Sequence, residues 1–164
     1  MSVPASTPVE STRAESTPAE STPAAPTAAA LSALLAEHMP SVAASGMRID
    51  ALDADEARVC LQPEARHLRP GGTVSGPTMM ALADTAMYAA VLQRALRERP
   101  EPELLAVTTD LQMHFLRRPR PGAMCATARV LKFGQKLVVL RVDITQGETL
   151  VAHATGTYAR PPRA

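Results

Sequence analysis

Tryptophan is absent from this chain, and two tyrosines and two phenylalanines are its only aromatic residues. That scarcity excludes nucleic-acid binding through stacked bases and leaves the core to Ala, Val, Leu and Met. An excess of either charge is lacking too. Lys and Arg number 17 against 16 Asp and Glu, a formal net charge of +1, so no strong field favours nucleic acid or an anionic membrane surface. No apolar run reaches the ~18–20 residues of a membrane-spanning helix. The start, Met1-Ser2-Val3-Pro4-Ala5, has no basic segment and no apolar one, so no secretory signal is expected. Cysteine is confined to Cys60 and Cys125. No CxxC or HxxxH spacing suggests a metal site. The two thiols read as small buried hydrophobes in a reducing, cytoplasmic compartment, not as a disulfide.

The chain has 164 residues, enough for one domain and a tail. Residues 1–28 are low-complexity, with Glu-Ser-Thr starting at Glu10, Glu15 and Glu20. A five-residue period suits neither helix nor strand, and this stretch buries too little to offset chain entropy, so it is expected to be disordered. Residues 29–164 form the expected domain. Thr27 is placed to cap a short helix that Pro40 stops. Alternation over Met47–Leu52 and Glu56–Leu61, around Asp53-Ala54-Asp55, predicts a hairpin. Ser75 or Gly76 caps a long helix to about Arg97, with Pro77 in its first turn. Extended segments follow at Leu104–Leu116, Gly122–Lys132, Lys136–Gln146 and Thr149–Tyr158, the last pairs joined by hairpin-length turns. One apolar helix and one antiparallel sheet bury each other if the sheet curls around the helix, an α+β arrangement.

Asp84 is the only charged residue between Arg69 and Arg94, inside the run Met79-Met80-Ala81-Leu82-Ala83-Asp84-Thr85-Ala86-Met87. A carboxylate there loses water, at a cost of several kcal/mol unless it is paired, hydrogen-bonded or protonated. Such a group is either satisfied by neighbours or in use. The preceding Arg69-Pro70-Gly71-Gly72-Thr73-Val74-Ser75-Gly76-Pro77 favours use. Its paired glycines lack GxGxxG spacing and a following Lys-Ser/Thr, so they supply turn freedom and no phosphate cradle.

Three stretches resemble the hotdog-fold acyl-CoA thioesterases of the phenylacetate-pathway (PaaI-like) type: that loop, the helical Leu82-Ala83-Asp84-Thr85-Ala86, and Thr108 to Pro119 with its Phe115-Leu116-Arg117. The resemblance covers roughly residues 30–160 and implies a curved antiparallel sheet wrapped around a central helix. It also implies acyl-CoA hydrolysis with Asp84 as general base or nucleophile and the Gly76 N–H holding the thioester oxygen. Helix start and N–H together stabilise an oxyanion. In this fold the carboxylate is usually supplied across a dimer interface, so a homodimer or homotetramer is expected. Coenzyme A belongs to the substrate; no cofactor, metal, nucleic acid or membrane partner is expected. Ser75 stands where many relatives have His, and Arg69 where many have Asn or Gln.

Other candidates fill in the site. Thr108 is expected to orient Asp84 or its water, with Thr109 beside it and Asp110 and Gln112 on Thr108's face. Arg117, Arg118 and Arg120, with Arg129, Lys132 and Lys136, cluster at strand ends and suit the phosphates of coenzyme A, and Arg69 is a candidate to anchor a carboxylate or phosphate or to hydrogen-bond the carbonyl. His67 precedes the loop. Met79, Met80 and Met87 are expected to line an adaptable acyl pocket. Two other functions compete: a hotdog module that binds acyl-CoA without turnover, and a hydratase, which would need a His paired with Asp84.

Overall fold

A computed structural model of the chain describes residues 25–99, 101 and 104–162; the Glu-Ser-Thr repeats lie outside them. Thr27 accepts a hydrogen bond from the Ala30 N–H at 3.1 Å and opens α1, Ala28–His38. Pro40 does more than stop it. It opens a second short helix, α2, Pro40–Ala44, at the position where a missing N–H costs least. The hairpin follows as β1, Met47–Asp53, and β2, Glu56–Leu61. A miniature hairpin then joins β3, Leu68–Arg69, to β4, Thr73–Val74. Its turn needs Gly71 and Gly72, which sit at φ of 90° and 65°, a region that side chains disfavour.

The long helix α3 runs Gly76–Glu98, with Ser75 as its cap. After it come β5, Val107–Phe115; β6, Met124–Phe133; β7, Leu137–Gln146; and β8, Thr149–Ala159. Six strands form one antiparallel sheet in the order β1-β2-β6-β7-β8-β5, wrapped around α3. The alanines explain how closely they fit. Ala83, Ala86 and Ala89 are fully buried, in one cluster with the strand residues Val59, Ala126, Leu140 and Val142. At Gly156 a Cβ would stand 2.7 Å from the Met87 sulfur, so helix and β8 meet at this distance only because the side chain is missing. Large residues would hold the layers apart and leave voids, which cost stability with volume.

The far end of α3 is tied by charge. Arg94 pairs with Asp55 at 3.2 Å and Glu98 at 3.3 Å. Buried Arg160 reaches Glu98 at 3.3 Å and the Gly134 carbonyl at 2.8 Å. The two guanidinium groups lie over Phe133 at 5.0 and 4.1 Å.

Cys60 and Cys125 correct the expectation of two free thiols. They are direct partners in the β2–β6 register and form a disulfide, with an S–S distance of 2.04 Å. Neighbouring strands bring opposed Cβ atoms within bridging reach, and that adjacency was not visible in two cysteines 65 residues apart. Paired in this way, the two cysteines give no indication of a reducing compartment. Among the described residues, no helix is long and apolar enough to cross a membrane.

Candidate active site

A bulge on β5 builds the site. Thr108 pairs with Tyr158 on β8, the register shifts, and Asp110 pairs with Thr157. The extra residue, Thr109, donates its hydroxyl to the Thr157 carbonyl at 3.1 Å. A bulge re-aims the side chains beside it. Thr108 thus shares a face with Tyr158, toward α3, whereas Asp110 and Gln112 stand opposite Thr157 and Thr155. The expectation that Asp110 and Gln112 share Thr108's face holds for an unbroken strand and fails at this bulge.

Asp84 lies half-buried in α3. Its Oδ1 accepts hydrogen bonds from Thr108 Oγ1 at 2.7 Å and Tyr158 Oη at 2.6 Å. The Tyr158 hydroxyl also lies 3.1 Å from the Asp84 carbonyl. Asp84 Oδ2 has no protein partner among the described residues. Burial, then the charge of Asp84 and the hydrogen bond to it, push the Tyr158 hydroxyl far above the ordinary value of 10.0, so Tyr158 stays a protonated donor. Burial raises the Tyr88 hydroxyl too. The two rings stack with centroids 6.1 Å apart, and Tyr88 donates to the Leu104 carbonyl at 2.8 Å.

Asp84, Thr108 and Tyr158 border a cavity of about 800 Å³. Its remaining walls are mainly apolar, with Met39, Val42, Met47, Ala81, Leu104 and Ala106 among them. A second cavity, about 620 Å³, holds Gly76, Arg69, Thr73, Phe115, Arg117 and Arg118. The Gly76 N–H has no partner among the described residues, and Pro77 beside it has no N–H to offer. A Cβ on Gly76 would lie 3.4 Å from the Phe115 ring. Arg118 donates to the Gly71 carbonyl at 2.9 Å and Arg117 to the Leu150 carbonyl at 2.7 Å. The Arg69 guanidinium makes no hydrogen bond or ion pair among the described residues.

The candidates thus divide between two cavities of one chain. Gly76 and Asp84 are eight positions apart on α3, roughly 12 Å along its axis. Ser75 borders neither cavity: its hydroxyl accepts from the Thr78 N–H at 3.3 Å and hydrogen-bonds the Thr78 hydroxyl at 2.8 Å. His67 is buried, and its Nδ1 accepts from the Glu64 N–H at 2.8 Å; it caps a turn beneath the loop instead of facing a cavity. Met87 is fully buried against Gly156 and lines neither cavity. Met79 lines the Gly76 cavity, and Met80 is exposed and lines neither. The methionines at the Asp84 cavity are Met39 and Met47.

Sequence reading missed Tyr158. Its signal was the strand period: Ala152, Ala154 and Gly156 face the helix, Tyr158 follows in phase, and a buried phenol needs a hydrogen-bond partner. No histidine hydrogen-bonds Asp84 among the described residues. Nor do three His, Cys, Asp or Glu side chains among them converge as a metal site would require.

The fold that carries these residues is shared with known proteins. Residues 71–153, which include the glycine loop, α3 and most of the sheet, match the model of the Thioesterase superfamily. The chain belongs to that superfamily. A crystal structure from Silicibacter sp. TM1040 superposes with a TM-score of 0.71 at 40% identity, covering 83% of this chain and 92% of that one. The E. coli PaaI protein from the phenylacetic acid degradation operon gives 0.69 at 26% identity, covering 79% and 90%. The E. coli medium/long-chain acyl-CoA thioesterase YigI is 26% identical over 135 residues, 74% of this chain and 85% of YigI. The sheet and central helix are therefore a hotdog fold, and the chain is a PaaI-like thioester hydrolase.

Proposed function

We propose that the protein hydrolyses acyl-CoA thioesters to the free acid and coenzyme A, at a site assembled from two copies of the chain. The observation that carries this reading is Asp84, anchored through one oxygen while the other is left without a protein partner at an apolar cavity. Asp84 of one subunit takes a proton from water, and the resulting hydroxide adds to the thioester carbonyl. The oxyanion forms against the Gly76 N–H of the partner, at the positive end of α3. Collapse breaks the C–S bond, and the thiolate leaves with the proton that Asp84 held. In the nucleophilic variant, the same carboxylate adds to the carbonyl, the C–S bond breaks and coenzyme A leaves as the thiolate, and water then hydrolyses the mixed anhydride to the free acid and the Asp84 carboxylate.

The dimer has physical support. β5 is an edge of the sheet, and Val107, Phe115 and Leu116 on and beside it are half exposed. An unpaired apolar edge favours pairing with another chain. Arg69, Arg117 and Arg118 at the Gly76 cavity suit the phosphates of coenzyme A. The apolar walls beside Asp84 suit a medium-chain or aryl acyl group, and the names of YigI and PaaI point the same way.

Free-thiol release from short, long and aromatic acyl-CoAs tests this, with wild type and Asp84→Asn side by side. Wild type is expected to turn over members of the panel, and the folded variant to lose roughly 10²- to 10⁴-fold in kcat. Acyl-CoA binding without turnover by wild type would support a non-catalytic binding module instead.

A further inference from the structure

Both hydroxyl donors on Asp84 converge on one oxygen. Thr108 comes from β5 at 2.7 Å and Tyr158 from β8 at 2.6 Å, and both bind Oδ1. A carboxylate swings freely about its terminal torsion unless something holds it. Two short bonds to a charged acceptor are about twice as strong as neutral ones, and two anchors on different strands leave little freedom. We propose that Tyr158 is a positioning residue which, with Thr108, fixes Asp84 by Oδ1 and makes Oδ2 the oxygen that meets water or the thioester. This rests on the hydrolytic role of Asp84. Tyr158 acts through the carboxylate.

Three features give Tyr158 this part. Its ring is 2% exposed, so water does not compete for the hydroxyl. The ring stacks on Tyr88, which keeps it from swinging away. Its hydroxyl also lies 3.1 Å from the Asp84 backbone carbonyl, so it registers on the helix as well as on the side chain. Tyr158 lies outside residues 71–153, the stretch matched by the superfamily model.

Tyr158→Phe keeps the ring and removes only the hydroxyl. In the folded dimer, kcat is expected to fall about tenfold while KM changes less than about twofold, since the loss is in geometry at the reacting atoms and not in binding. One donor fewer on the carboxylate also moves the acid limb of the kcat/KM profile upward. A residue that only fills the core would shift neither. Unchanged kcat and an unchanged acid limb in folded Tyr158→Phe would overturn the inference.

If that variant fails to fold, 3-fluorotyrosine incorporated in a Tyr88→Phe background marks Tyr158 alone. The fluorinated ring keeps nearly the same shape and is a stronger donor, so the acid limb is expected to move down relative to unfluorinated Tyr88→Phe; no movement would overturn the inference. An infrared titration of the Asp84 carboxyl, assigned against Asp84→Asn, reads the same displacement without turnover. A wild type that hydrolyses nothing would therefore sink the catalytic reading of Asp84, and the Tyr158–Asp84 coupling would stand or fall on that band.

Discussion

The two ends of α3 hold their charged side chains in different settings. At the C-terminal end, Arg94, Glu98, Asp55 and Arg160 satisfy one another within 3.3 Å, and both arginines close over Phe133. At the N-terminal half, the Gly76 N–H, the Arg69 guanidinium and Asp84 Oδ2 are left without protein partners among the described residues. Arg69 is exposed and solvated, whereas the Gly76 N–H and Asp84 belong to half-buried residues, where an unpaired polar group costs stability. The first arrangement holds a fold together. The second lies at two cavities, and under the proposed hydrolysis it meets the thioester, the phosphates and water. The division is not complete: in the C-terminal half of α3, Gln93 is 1% exposed with neither amide atom hydrogen-bonded among the described residues, and the buried Arg97 Nε has no partner there either.

Mutations should sharpen that contrast. Asp84→Asn is expected to have the largest effect on turnover, with the fold retained by circular dichroism. Next is the pair at the helix start. Gly76→Pro suits a first helical position with Ser75 extended before it, yet deletes the N–H; kcat is expected to fall about 10²- to 10³-fold. Gly76→Ala keeps that N–H and adds only the Cβ contact with Phe115 at 3.4 Å; its loss is expected to stay under about tenfold. Equal losses in the two would remove the oxyanion role from Gly76. Arg160→Met should do the reverse of all these. It leaves Glu98 with Arg94, so denaturant unfolding is expected to show a loss of about 2 kcal/mol with kcat unchanged.

What the sequence disclosed follows the range of the forces involved. Thr27 and Ser75 as caps, the hairpin of β1 and β2, and the long helix to Glu98 are set by neighbours a few positions away, so local rules read them correctly. Asp84 stood out because a lone charge in an apolar helix is costly wherever the helix packs. The remaining features depend on which strands become neighbours. The Cys60–Cys125 bridge needs β2 beside β6. The Tyr158–Asp84 bond needs β8 against the helix. The face occupied by Thr108 depends on one extra residue, Thr109, that breaks alternation in β5. Pro40 misled in a simpler way: a proline that ends one helix also suits the first turn of the next. Met87 read as pocket because methionine adapts to ligands, but it also fills core gaps, and the absent side chain at Gly156 gave it one to fill.

The central claim is that Gly76 and Asp84 act together only across two chains. Subunit complementation tests it most directly. Asp84→Asn and Gly76→Pro proteins, each nearly inactive, are unfolded together and refolded as a mixture. A hybrid dimer then carries one intact site, formed by Gly76 of the first subunit and Asp84 of the second. Random pairing should restore about a quarter of wild-type thiol release. A mixture no more active than the sum of its parts, with hybrids confirmed by native mass spectrometry, would place both groups in the same chain and contradict the account.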